Sequence, residues 1–121
     1  MTDVVCGVVK DGERFLITQR GDNKNRGLWE FPGGKVINEE HPFESIKREL
    51  LEELEIVVNP IRELIRYPFK NYNLVFVLCE PVDLTKIKLN EHLDFCWVKK
   101  TDFHEYNFLE GDRQFVLNFN K

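Results

Sequence analysis

Residues 29–56 read WEFPGGKVINEEHPFESIKRELLEELEI, and the fold turns on how this stretch is parsed. Pro32-Gly33-Gly34 stops a short aromatic strand (residues 28–31) with a turn, where glycine takes positive φ without penalty. Pro42 suits the first turn of a helix. Phe43, Ile46, Leu50 and Leu54 then recur at spacings of three, four and four, the stripe of a helix packed on a core. The spacing predicts a helix from Pro42 to about Leu54. His41 occupies the cap slot and reads as a weak cap, not a catalytic base.

On the N-terminal side, residues 4–10 and 14–20 read as antiparallel strands about the turn Asp11-Gly12, and residues 21–27 as a polar loop. On the C-terminal side Asn59-Pro60 breaks the chain. Residues 61–69 and 72–79 are expected as strands with Asn71 at the turn, 81–90 as a loop, 93–98 as a short strand and 111–119 as an amphipathic closing helix. Mixed strands with two helices predict an α+β fold, an α/β/α sandwich around a mixed β-sheet.

The 121 residues, 42% of them apolar, fit one domain over residues 1–121, large enough to need neither disulfides nor a structural metal. Ten Phe, two Trp and three Tyr supply core and pocket material. Nothing approaches the ~20 apolar residues of a membrane span, and the N-terminus lacks a basic leader. Cys6, Cys79 and Cys96 lack metal-ligand spacing and are expected as reduced core thiols, consistent with a cytoplasmic protein. The net charge of −4 argues against stable nucleic-acid binding, which calls for a basic field. The location of that charge is informative. Residues 39–55 hold seven glutamates (39, 40, 44, 49, 52, 53 and 55) against Lys47 and Arg48, a balance of −5 on an otherwise near-neutral chain.

At roughly 100° per residue, Glu49, Glu52 and Glu53 fall within an arc of about 100°, flanking the buried stripe of the helix. Like charges at these spacings repel, and they sit toward the helix end where the macrodipole disfavours anions. Such a face is either a solvated acidic surface, the more frequent case for Glu-x-x-Glu-Glu alone, or an oxygen-ligand site for Mg²⁺ or Mn²⁺. The preceding residues favour the second. The glycines permit close backbone approach, and Lys35 is a point charge suited to phosphate oxygens.

Gly34, five residues, Glu40, seven residues, then Arg48-Glu49-Leu50-x-Glu52-Glu53-x-x-Ile56 resembles the Nudix box, meeting seven of that pattern's eight elements. Two positions depart from it: Glu55 stands where the family usually has Gly, and Glu39 where many members do. Phe31-Pro32-Gly33-Gly34-Lys35 and the chain length are similar to the MutT-type branch, whose members convert nucleoside triphosphates to monophosphate and pyrophosphate. The resemblance implies that Glu49, Glu52 and Glu53 hold divalent metal with the Gly33 or Gly34 carbonyl, and that Arg48 orients a glutamate. It further implies that Lys35 contacts phosphate and that Glu91 supplies a further carboxylate as metal ligand or base, though a solvated Glu91 is equally compatible. The resemblance also implies a divalent ion that would acidify water for in-line attack on phosphorus, without a covalent enzyme nucleophile.

For base recognition the candidates are Arg20, Phe31, Phe76 and Asp112. Phe31 and Phe76 are placed to sandwich a base, with a core role for Phe76 the competing reading. Asp112 stands where MutT enzymes carry an Asn that reads 8-oxoguanine and where cytidine-triphosphate-hydrolysing relatives commonly carry Asp; it also suits a helix cap. An ionised Asp accepts only, matching the cytosine N4 amine. The resemblance thus implies a Mg²⁺-dependent (Mn²⁺ also serving) pyrophosphohydrolase of cytidine-type or oxidised guanine nucleotides in a pool-cleaning role, monomeric or homodimeric, with a small-molecule nucleotide as partner. Other diphosphate substrates (dinucleoside polyphosphates, nucleotide sugars, capped RNA ends) and a non-catalytic nucleotide-binding module are the rivals.

Overall fold

A computed structural model describes residues 1–83 and 86–119. In chain order the elements are β1 (Thr2–Asp11), β2 (Arg14–Gln19), β3 (Trp29–Glu30), β4 (Gly33–Lys35), α1 (Pro42–Leu54), β5 (Val57–Phe69), β6 (Tyr72–Asp83), β7 (Asp94–Lys99), a 3₁₀ helix (Lys100–Glu105) and α2 (Glu110–Phe119). The strands form a mixed sheet in the order β3-β2-β1-β6-β5, with β4 on β1 and β7 on β2. β1 runs parallel to β6, from Thr2 opposite Tyr72 to Val9 opposite Cys79; among the described residues the other strand-strand pairings are antiparallel, and an isolated parallel bridge joins Trp29 to Phe108.

Alternation along the central strands sends successive side chains to opposite faces. Val5, Val9, Leu16, Val75 and Val77 join Ile46, Leu50 and Leu54 of α1. Cys6, Val8, Phe15, Ile17, Leu74 and Phe76 join Phe103, Phe108 and Phe115 on the α2 face. The expected α/β/α layering follows from this division. Gly33 is required where β4 meets β1, since a Cβ there would sit 1.8 Å from the Val5 carbonyl oxygen.

Three local expectations change. Asn59-Pro60 does not break the chain: β5 starts at Val57, and Pro60 pairs with Cys79 beside a register shift between Pro60 and Arg62. β5 lies at the end of the strand order, and a bulged outer strand tolerates a residue that donates no N–H. The loop expected over 81–90 begins later, because β6 runs on to Asp83; residues 84 and 85 lie outside the described residues. His41 caps α1 fully. Its Nδ1 accepts the Phe43 N–H at 3.0 Å while Glu44 accepts the His41 N–H at 3.0 Å, a reciprocal capping box.

Candidate metal centre and cleft

Arg48 organises the acidic face of α1. Its Nε and Nη2 donate to both oxygens of Glu40 at 2.9 and 3.0 Å, a bidentate pair of fixed geometry. Nη1 donates to Glu49 Oε1 at 2.9 Å and lies 3.4 Å from Glu52 Oε2, and Nη2 also reaches the Lys35 carbonyl at 3.1 Å. The Arg48 and Ser45 hydrogen bonds push the Glu40 carboxyl down to about 2. One guanidinium therefore ties the segment before the helix to two of the three clustered glutamates. Gly34 leaves the remaining room: a Cβ there would lie 2.5 Å from Glu49 Cδ.

Glu53 turns inward and is 4% exposed. Burial, then the adjoining carboxylates of Glu49, Glu30 and Glu91, pushes its carboxyl up to about 10. Its Oε2 has no hydrogen-bond partner. Beside it, His92 Nε2 lies 3.7 Å from Glu53 Oε1 and 2.7 Å from Glu30 Oε2. Glu30 is in turn held by Arg20, whose Nη1 donates to Oε1 at 3.1 Å; Arg20 also pairs with Asp22 at 2.8 Å.

A cleft of about 610 Å³ runs from Gly33 and Gly34 past Glu30 to Asp112. Arg20, Lys24, Lys35, Lys70 and Arg113 line it. Lys35 is exposed, with Nζ 5.4 Å from the centroid of the Tyr72 ring. Asp112 lies inside the first turn of α2, which begins at Glu110, so it does not occupy the cap position; its Oδ2 accepts the Phe31 N–H at 2.8 Å. Burial and then the Glu30 charge push this carboxyl up to about 8.

The aromatic sandwich is corrected. Phe76 is 0% exposed and stacks on Phe115 with centroids 4.4 Å apart. Phe31 meets Phe76 edge-on at 6.2 Å and 82°, with no slot between the rings. Phe31 still lines the cleft; Phe76 is core, as its place in an apolar strand allows. Glu91 is likewise exposed, adding charge near Glu53, while its neighbour His92 takes the inward position.

The NUDIX domain family matches residues 1–119. The chain belongs to the Nudix family. Among its relatives, an 8-oxo-dGTP diphosphatase of Buchnera aphidicola (subsp. Schizaphis graminum) is 30% identical over 99% of this chain and 94% of its own length. A CTP pyrophosphohydrolase of Escherichia coli K12 is 40% identical over 46% of this chain and 42% of its own. A solved MutT structure from work on Aliivibrio salmonicida and Vibrio cholerae superposes with a TM-score of 0.77 at 31% identity, covering 97% of this chain and 94% of that one. As a Nudix hydrolase of the MutT-like kind, the chain acts on phosphorus anhydrides.

Nudix hydrolases use divalent metal, and these residues fit one. Glu49, Glu52 and Glu53 would hold it, with the Gly33 or Gly34 carbonyl. The observations are the glycine cradle facing Glu49 and the orphaned, buried oxygen of Glu53. Oxygen-only donors suit hard cations. Among the described residues, sequence reasoning assigned no role to Glu30, His92 or Glu40. Glu40 and Glu30 lay in the stretch already quoted, and His92 was one position from the residue chosen; only a contact across the fold separates Glu91 from His92.

Proposed function

We propose that this Nudix chain is a Mg²⁺-dependent nucleoside triphosphate pyrophosphohydrolase, converting cytidine-type or oxidised guanine (d)NTPs to the monophosphate and pyrophosphate. The observation that carries this reading is a cation-lined cleft that ends at buried Asp112 and whose Gly34 lies against Glu49 of the acidic helix face. Five cations match a triphosphate, and half-buried Leu28 and Phe69 offer apolar walls for a base. The relatives named above support the substrate class. A bound divalent ion supplies positive charge for phosphate oxygens and acidifies nearby water. The chain's own residues do the rest. Arg48 fixes the Glu49 and Glu52 carboxylates, Lys35 and Arg20 hold anionic oxygens, Asp112 reads the base edge, and Glu53 or a neighbouring carboxylate takes the proton from water. The reading includes a single domain acting on free nucleotides in the cytoplasm, as monomer or homodimer.

The test is a panel of canonical and modified nucleotides with Mg²⁺, scored for pyrophosphate against phosphate. Pyrophosphate release fastest on dCTP or 8-oxo-dGTP is expected; no release from any nucleotide defeats the reading. Glu52→Gln or Glu53→Gln should each lower turnover by at least ~10²-fold, as expected when a charged group at the reacting centre is lost. Near-wild-type turnover in both variants removes the site assignment.

A further inference from the structure

We infer that Glu30, Glu53 and His92 form an ion position of their own, inward of Glu49 and Glu52, whose nitrogen donor makes it prefer a first-row transition ion over Mg²⁺. The inference rests on reading the α1 face as a divalent-ion centre and adds a second position to it. One donor atom from each residue lies within 4.8 Å of the others. The His92 Nε2 separations, 2.7 Å to Glu30 and 3.7 Å to Glu53, bracket the ~3 Å between donors sharing one ion at bond lengths of ~2.0–2.2 Å. The three residues come from β3, α1 and the segment before β7, so the position is framed by separate elements.

Satisfaction and charge point the same way. In Glu53, 4% exposed, Oε1 faces His92 while Oε2 is unpartnered, so this one buried carboxylate has an oxygen for the inner position and another for the α1-face ion. Arg20 occupies Glu30 Oε1 and leaves Oε2 to the cluster, while the Arg48 guanidinium is taken up by Glu40, Glu49 and Glu52. Two carboxylates and a divalent ion sum to zero in buried surroundings. Coordination through Nε2 replaces its 2.7 Å bond to Glu30 with one to the ion and leaves the imidazole proton on Nδ1, which has no partner in the structure. Imidazole raises affinity for Mn²⁺ or Zn²⁺, whereas Mg²⁺ prefers oxygen throughout.

Pulsed EPR of the full chain loaded with Mn²⁺ alone, without nucleotide, tests this. Expected is ¹⁴N echo modulation that moves to the ¹⁵N frequency when histidine is ¹⁵N-labelled, a readout needing no variant. His92→Gln should abolish the modulation and Glu52→Gln should retain it. Mn²⁺ affinity should weaken roughly tenfold or more in His92→Gln and Glu30→Gln, with Mg²⁺ affinity much less affected and folding verified by circular dichroism. Folded wild-type protein saturated with Mn²⁺ and lacking nitrogen modulation overturns the inference, as does modulation surviving in His92→Gln. Pyrophosphate release with Mg²⁺ in that case leaves the proposed function intact and removes only the nitrogen-containing position.

Discussion

Asp112 carries two consequences that titration exposes. Its carboxyl is pushed up to about 8, well above the ~3.9 of an unfolded chain. The folded protein therefore keeps this proton over a range in which the unfolded chain has released it. Its stabilising contribution is complete below about pH 4 and is lost as pH rises through about 8. Asp112→Asn should flatten the decline in Tm across that window, measured by thermal melts in EDTA; a slope identical to wild type is the contrary result. The same proton bears on the base. Neutral Asp112 donates as well as accepts, whereas the ionised form accepts only. Relative turnover of dCTP over 8-oxo-dGTP should rise as pH passes about 8, and Asp112→Asn should remove the trend. Sequence placed Asp112 in the site but not its protonation, because burial comes from the aromatic layer that folding assembles around it.

At the scale of elements, α1 was the most legible, since its apolar stripe and acid face have the helix period. Its ends were less so. Glu55 closes the helix at φ 56°, ψ 36°, a left-handed conformation that glycine adopts at lower cost, with its N–H directed to the Leu50 and Leu51 carbonyls. Glu55→Gly should stabilise the fold by about 0.5–1 kcal/mol, visible as a Tm higher by a few degrees with turnover unchanged. The exposed hydrogen bond from Asn90 to Glu55, 3.2 Å, and the exposed ion pair with Lys88, 3.9 Å, are too weak to reverse the sign; a lower Tm shows otherwise. Pro60 misled for a related reason: proline forbids an interior strand, yet the position of β5 in the strand order is decided by residues far away in sequence. The segment leading to β7 has no period at all, so Glu91 and His92 were indistinguishable until their neighbours across the fold were known.

For the molecule as a whole, the aromatic layer under α2 decides how substitutions in the cleft will read. Phe76 contacts Tyr67, Phe31 and Phe115, and Tyr67 Oη donates to the Gly111 carbonyl while accepting the Phe115 N–H. Phe76→Ala should cost about 3–5 kcal/mol, lowering Tm by 10 °C or more, with KM for the surviving folded protein nearly unchanged. A raised KM at wild-type Tm would return Phe76 to the base-binding wall. The class of fold was readable from pattern alone, since two helical stripes and alternating strands require layers. The order of strands was not, because pairing partners are chosen across the chain.

That order has a kinetic consequence. β1 is laid beside β6, so the pairing at the centre of the sheet closes across seventy residues, from Thr2 to Tyr72. Chain closure over such a span carries its entropy cost before any contact repays it. During synthesis β1 waits as an open edge until about residue 79 has emerged, exposed to wrong partners in the meantime. The glutamates of α1 are translated within that interval and Asp112 arrives only with the last helix. The nascent chain thus carries its clustered acids before it has a cleft.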